Sequence, residues 1–188
     1  MKAKAQMLYR AMFKQQGQSH YQPLASLSLQ SPIGTIVLAA NRYGLTHLTL
    51  MPQAHHDWPA REISLFAGDE ADKVAAKVHL AHAKAELTDY FSGVLKAFTV
   101  PLAPVGTPFQ HQVWQALLAQ PYGQYCSYSD IASAIDNPKA VRAVGSANGA
   151  NHIAIIIPCH RIIGKSGTLT GYAYGLDVKQ ALLNLEGV

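Results

Sequence analysis

From Leu24 onward the chain alternates apolar and polar positions with period two. Three runs carry this pattern: Leu24-Ala25-Ser26-Leu27-Ser28-Leu29, Thr35-Ile36-Val37-Leu38-Ala39-Ala40 and Leu45-Thr46-His47-Leu48-Thr49-Leu50. Ser31-Pro32-Ile33-Gly34 and Asn41-Arg42-Tyr43-Gly44 separate them as turns, which predicts three antiparallel strands in a meander. Ahead of them, residues 3–14 space Ala, Met, Leu and Phe as a short amphipathic helix would, and 17–23 read as linker. Residues 51–68 are irregular, with Pro52, Trp58 and Pro59. Asp72 to Phe91 then reads as a helix, with Val74, Val78, Ala81, Ala85 and the stretch from Leu87 as its apolar face. Phe98 to Pro104 is a short strand or an extended connector.

After Gly106 the period becomes helical. Thr107 is a good N-cap and Pro108 a good first helical residue, so a helix runs to about Ala119, where Pro121-Tyr122-Gly123 stops it. Ser127 to Ile135 forms a second short helix, and Asn137-Pro138 is expected to cap a third, from Ala140 to about Asn148. The pair has a helix-turn-helix silhouette, which any helical core could also produce. Ile155-Ile156-Ile157 reads as a short buried strand ended by Pro158, which has no N–H to donate. The expected organisation is an α/β domain over 1–104, a small antiparallel sheet plus a helix, followed by a mostly helical domain over 105–188.

Composition narrows the class. The 188 residues are 49% hydrophobic and 14% charged, which suits a globular chain with a sizeable core. The net charge of +4 hints at an anionic partner. Residues 1–104 carry ten Lys/Arg against seven Asp/Glu and residues 105–188 five against four, so a polyanion would be held by local placement rather than bulk charge. Lys2, Lys4, Arg10 and Lys14 suit either a solvated helix face or contact with a phosphate backbone. No stretch has the apolar core of a signal peptide or the length of a membrane span, so a soluble, cytoplasmic protein is expected, with no membrane partner. His55 and His56 are adjacent, and His79 and His82 are three apart on one helix face. No second Cys/His pair stands at a metal-binding spacing, so no metal is expected.

Candidate chemistry gathers at Pro158-Cys159-His160-Arg161-Ile162-Ile163. A cysteine at a forced turn, beside cationic groups and walled by isoleucine, suits a nucleophile held from water with its thiolate favoured. A buried structural cysteine fits the ten residues from Ile155 to Gly164 equally well. Cys126 reads as a core residue. Ala140-Val141-Arg142-Ala143-Val144-Gly145-Ser146-Ala147 has small side chains and one cation, which suits either close approach to a groove or tight packing with Arg142 at the rim.

Taken together, these segments resemble the O6-alkylguanine-DNA alkyltransferase family. The likeness runs from Gly106 to Glu186 through Gly106-Thr107-Pro108-Phe109-Gln110, Ser127-Tyr128, Asn137-Pro138, Arg142-Ala143-Val144-Gly145, Asn151, Ile157-Pro158-Cys159-His160-Arg161, Gly171-Tyr172, Lys179 and Glu186. In the first half it rests chiefly on Ser31-Pro32-Ile33-Gly34. The resemblance implies a winged helix-turn-helix-like second domain and irreversible transfer of the methyl group of O6-methylguanine, and of O4-methylthymine, in DNA to Cys159. His160 would act through a water as its base, Glu186 would orient the imidazole, Tyr128 would protonate the leaving base, and Asn151 would tie the recognition helix to the cysteine loop. Arg142 would fill the hole left by the extruded nucleotide, with Ser127, Tyr128, Ala143 and Gly145 also facing DNA. Pro158, Ile162, Tyr172, Ala173 and Tyr174 would wall the alkyl pocket. No cofactor is called for; the partner would be double-stranded DNA bearing O6-alkylguanine, met by a monomer. Two positions depart from the family pattern: His152 replaces a usual proline, and Tyr174 a usual glycine, where it either narrows the pocket or points to solvent. A binding module that senses the lesion without a thiol, and a thiol hydrolase using Cys159 and His160, are the other readings. The hydrolase meets the objection that adjacent side chains of an extended segment point apart.

Overall fold

The computed structural model describes residues 22–51 and 63–188. The helix expected over 3–14 lies outside them, as do Pro52, His55, His56, Trp58 and Pro59. The chain forms two compact units, the first ending at Val105 and the second spanning Gly106–Val188.

In the first unit the period-two runs become β1 (Ala25–Ser31), β2 (Gly34–Asn41) and β3 (Gly44–Leu50), and a two-residue β4 (Ser64–Leu65) joins the edge. The order is β3-β2-β1-β4, antiparallel throughout. Leu27, Leu29, Ile36, Leu38, Leu48 and Leu50 are buried, as strand alternation requires of a sheet covered on one face. The cover is α1 (Glu70–Phe91), capped by Asp69, whose carboxylate accepts from the backbone N–H of Ala71 and Asp72. Its buried face is Ala76, Leu80, Ala83, Leu87 and Tyr90, whereas Val74 and Val78 are 56% and 60% exposed and Ala81 and Ala85 face outward with them. Leu87 and Tyr90 thus lie on the expected face, but its first half followed a second apolar stripe; the stripe through Ala76, Leu80 and Ala83, continuous with Leu87 and Tyr90, won the core. Glu86, buried on the same helix, accepts from the backbone N–H of Thr99 (2.8 Å) and Val100 (3.0 Å), which fixes the segment toward Leu102. That segment is an extended connector with one bridge, Leu45 to Leu102. Histidines 79 and 82 contact the Arg42 carbonyl and the Thr99 hydroxyl.

Gly44 opens β3 at φ +155, and a Cβ there would collide with the carbonyl of Pro101 on the connector. Because that neighbour is backbone, it cannot turn aside. We expect Gly44→Ala to destabilise the first unit by about 2 kcal/mol or more, read as a fall in its thermal midpoint.

The second unit contains α2 (Pro108–Leu118), α3 (Tyr128–Ala134), α4 (Val141–Gly149) and α5 (Leu176–Leu185). Thr107 with Gln110 and Ser127 with Asp130 close capping boxes at the starts of α2 and α3. The fully buried Trp114 donates from Nε1 to the Ala147 carbonyl (2.9 Å), joining α2 to α4. Asn137-Pro138 does not cap the third helix: Ala140 is its N-cap, without a side-chain bond, and Asp136 turns the chain at φ +57. Ile155-Ile156-Ile157 is not a strand either. It is a buried turn, with Ile155 at φ +70 and Ile157 N–H donating to the Ile153 carbonyl (3.0 Å). Burial, rather than strand pairing, is what these isoleucines satisfy. β5 (Cys126–Ser127) and β6 (Ile162–Ile163) pair in parallel beside the helices. No described helix is long and apolar enough to cross a membrane.

Candidate active site

Pro158 precedes a single turn of 3-10 helix, Cys159–Arg161. With three residues per turn, three successive side chains fan out about a third of a turn apart. Cys159 and His160 are therefore not splayed as in a strand. Cys159, 5% exposed, joins Asn148, Gly149, Asn151, Gly171, Tyr172, Ala173 and Tyr174 in lining a small pocket. Asn151 follows α4 and is held at both ends of its amide. Its Oδ1 accepts from Ile153 N–H (2.9 Å), and its Nδ2 donates to the Ile157 carbonyl (2.9 Å) and to Cys159 Sγ (3.1 Å). Burial pushes the Cys159 thiol up, and the Asn151 amide, backbone N–H groups and Lys179 offset only part of this. A neutral thiol is the resting state.

The other two side chains of the turn meet Glu186, just beyond α5. His160 Nε2 lies 3.0 Å from Glu186 Oε1. Arg161 donates from Nε to Oε2 (2.8 Å), from Nη2 to Oε1 (2.9 Å) and from Nη1 to the Gln120 carbonyl (2.7 Å). Burial alone would push the Glu186 carboxyl up, but the bonds from His160 and Arg161 outweigh it and hold the group down at about 2. Burial pushes His160 down, helped by Arg161 and Lys179 and opposed by Glu186. A neutral imidazole beside a carboxylate that can only accept must carry its proton on Nε2. The lone pair is then on Nδ1, a buried atom with no hydrogen-bond partner among the described residues. This is the arrangement of a base oriented by a carboxylate. Arg161 does not act on the thiol directly, as its flanking position suggested, because its guanidinium is engaged by Glu186 and Gln120.

Tyr128 opens α3. A Cβ on Gly145 of α4 would sit 3.8 Å from its ring, and one on Gly171 would sit 3.9 Å from its hydroxyl, so the phenol lies between the helix and the pocket wall. Ser127 is the N-cap, its Oγ bonded within the cap and 2.7 Å from Ser129 Oγ. Arg142 and Ala143 are exposed on α4 and Gly145 is half-buried. Tyr172, Ala173 and Tyr174 line the pocket, and Tyr174 packs edge-on against Tyr172 (5.6 Å between ring centroids) instead of standing free in solvent. Pro158 and Ile162 are buried but do not line it: the first starts the 3-10 turn and the second sits in β6. His152 is exposed, its ring 6.5 Å from that of Trp114.

Residues 108–188 match the family model for the 6-O-methylguanine DNA methyltransferase DNA binding domain, and residues 25–104 match that for the ribonuclease-like domain of the same proteins. The chain belongs to the O6-alkylguanine-DNA alkyltransferase family. The likeness thus extends across the first unit, well beyond its Ser-Pro-Ile-Gly turn. A methylated-DNA–protein-cysteine methyltransferase of Methanosarcina barkeri is 48% identical over 158 residues, 84% of this chain and 94% of the relative. A constitutive methylated-DNA–protein-cysteine methyltransferase of Bacillus subtilis is 42% identical, covering 85% and 93%. Among solved structures, Mycobacterium tuberculosis OGT in complex with DNA superposes with a TM-score of 0.70 at 43% identity, covering 86% of this chain and 91% of that one.

The resemblance marked Lys179 without giving it a role. Lys179 is fully buried, and its ammonium donates to the carbonyls of Ile162 and Thr170 (2.7 Å for the second). Its place three and four residues before Leu182 and Leu183, on the buried face of α5, was a readable signal. Asn148 also belongs to the resembling segment, but nothing there signalled its burial, since an asparagine near a helix C-terminus is ordinary.

Proposed function

We propose that this protein repairs alkylated double-stranded DNA by moving the methyl group of O6-methylguanine, and of O4-methylthymine, irreversibly to Cys159. It acts as a monomer without a cofactor; the domain over 105–188 carries the reaction and 1–104 serves as scaffold. The observation that carries this reading is the buried line from Glu186 to His160 beside a thiol that opens on its own pocket. A relative has been solved in complex with DNA.

The small-residue face of α4 enters the minor groove, and the damaged nucleotide swings out, because O6 is unreachable in the stack. Arg142 takes the place it leaves. His160 Nδ1 accepts the thiol proton through a water. The thiolate attacks the alkyl carbon; the S–C bond forms as the C–O6 bond breaks, and the electron pair moves onto the base. Tyr128 gives its hydroxyl proton to a ring nitrogen of the leaving guanine and recovers one by way of solvent from His160. The thioether has no leaving group, so each molecule acts once.

A duplex with one radiolabelled O6-methylguanine, mixed with excess protein and followed by peptide mapping, tests this. Label on the peptide containing Cys159, at no more than one methyl per molecule, is expected. Tight lesion binding without labelled protein would instead mark a sensor, and turnover of small esters a hydrolase. We expect Arg142→Ala to slow transfer from duplex DNA by about 10- to 100-fold, since extrusion costs a few kcal/mol. Transfer from a single strand, where extrusion is not needed, should change much less.

A further inference from the structure

The carboxylate that orients His160 stands where a helix ends. Glu186 is the C-cap of α5, and the last carbonyls of a helix have no partner within it. Those of Leu183 and Asn184 are taken by the backbone N–H of Val188 (3.0 Å) and Gly187 (3.1 Å). The carbonyl of Leu185, directly before Glu186, is taken from another element: the hydroxyl of Tyr122 donates to it at 2.9 Å. Tyr122 belongs to Pro121-Tyr122-Gly123, the turn that stops α2, and residues around it meet the same charged cluster. The Gln120 carbonyl accepts from Arg161 Nη1 (2.7 Å), and Gly123 N–H is directed at Glu186 Oε2 (3.4 Å). The Arg161 guanidinium carbon lies 5.9 Å from the centre of the Tyr122 ring. Gly123 holds φ +72, and a Cβ there would sit 3.0 Å from the Glu186 carbonyl oxygen, so the turn is pressed against the end of α5.

We propose that Tyr122 is a positioning residue for the transfer: through the Leu185 carbonyl it fixes Glu186, and through Glu186 it fixes the tautomer of His160. This rests on the alkyl-transfer reading above. Tyr122 does not line the pocket around Cys159, so it acts through other residues. His160 and Arg161 hold the carboxylate by its oxygens, at 2.8 to 3.0 Å, whereas Tyr122 holds the backbone that carries it. A side chain gripped only at its tip moves with a backbone that relaxes, so both holds are needed to keep Oε1 facing Nε2. Without the hydroxyl, the end of α5 loses that tie and Oε1 withdraws from Nε2. The imidazole proton is then shared between the two ring nitrogens. Molecules that carry it on Nδ1 have no lone pair there to accept the thiol proton.

Tyr122→Phe removes one oxygen and keeps the ring beside Arg161, so it is the variant to test. Single-turnover transfer from an O6-methylguanine duplex is measured for the wild type, Tyr122→Phe, Glu186→Gln and the double variant. The imidazole nitrogens of His160 are followed by ¹⁵N NMR, which distinguishes the two tautomers. We expect Tyr122→Phe to slow transfer by about 5- to 20-fold and to show part of the His160 proton on Nδ1. On the Glu186→Gln background the same change should cost less than about twofold, because the group through which Tyr122 acts is already gone. A role confined to stability would leave the His160 signals as in the wild type, and the two losses would multiply. Either of those results, or transfer by Tyr122→Phe within about twofold of the wild type, overturns the proposal. If the double variant does not fold, the His160 signals of Tyr122→Phe alone decide between the same two outcomes. Failure of the parent reading is distinct: the wild type itself would then carry no label on Cys159.

Discussion

Cys159→Ala is expected to transfer no measurable methyl group, a loss of at least about 10⁴-fold, while binding lesion-bearing duplex as the wild type does. No other group in the pocket can replace the sulfur. Asn151 loses one acceptor at 3.1 Å but keeps the Ile157 carbonyl at 2.9 Å, so the loop retains its tie to α4. Removing one buried sulfur atom costs about 1 kcal/mol, too little to unfold the unit. Arg142, Tyr128 and the α4 face are untouched, so affinity should hold. The second cysteine cannot substitute. Burial, with a smaller push from Asp130, raises the Cys126 thiol to about 11, so it is almost wholly protonated at neutral pH. Peptide mapping and a lesion-binding isotherm on the same preparation decide the matter. Full repair by Cys159→Ala, or label arriving on Cys126, would sink the assignment of the nucleophile. Cys126→Ser should keep the wild-type stoichiometry of one methyl.

Much of this architecture was legible because the chain states it locally. The strand runs alternate cleanly between glycine-containing turns, and Thr107-Pro108 and Ser127 start helices that their capping boxes confirm. What misled was burial without regular pairing. Ile155-Ile156-Ile157 has the composition of a strand, yet its φ +70 turn arises from the need to bring Cys159 back toward α4, a constraint no local pattern carries. The first half of the α1 face was misread because two apolar stripes run along one helix and small residues in both blur the contrast, whereas Leu87 and Tyr90 fell where expected. At the site, ordered motifs marked Cys159, His160, Asn151 and Glu186. The partnership between Arg161 and Glu186 joins residues 25 positions apart and was invisible. Its anchor on Gln120 comes from a third segment again.

That partnership sets the second large effect. Glu186→Gln should lower transfer by about 10³- to 10⁴-fold and destabilise the second unit by about 3–5 kcal/mol. The carboxylate receives two bonds from Arg161 and one from His160, and both of its oxygens are engaged. An amide has one oxygen and no charge, so a buried guanidinium is left without its counter-ion. An amide NH₂ turned toward His160 would also donate to Nε2. The ring proton would then move to Nδ1, where the lone pair of the base has to be. Stability against pH separates the two consequences. In the wild type the folded Glu186 carboxyl sits at about 2 against an ordinary 4.5. Its contribution, about 3 kcal/mol, is therefore complete above roughly pH 5 and is lost as the pH falls toward 2. His160 adds a loss in the same direction, because its folded form resists the proton that the unfolded chain takes up below about pH 6.5. Denaturant titrations between pH 7 and 3 should show a steep decline for the wild type. Glu186→Gln should be less stable at pH 7 and flatter below pH 5. A variant as acid-sensitive as its parent would place the titrating group elsewhere. One equally stable at pH 7 would mean that Arg161 finds another partner, and the defect in transfer would then report the tautomer of His160 alone.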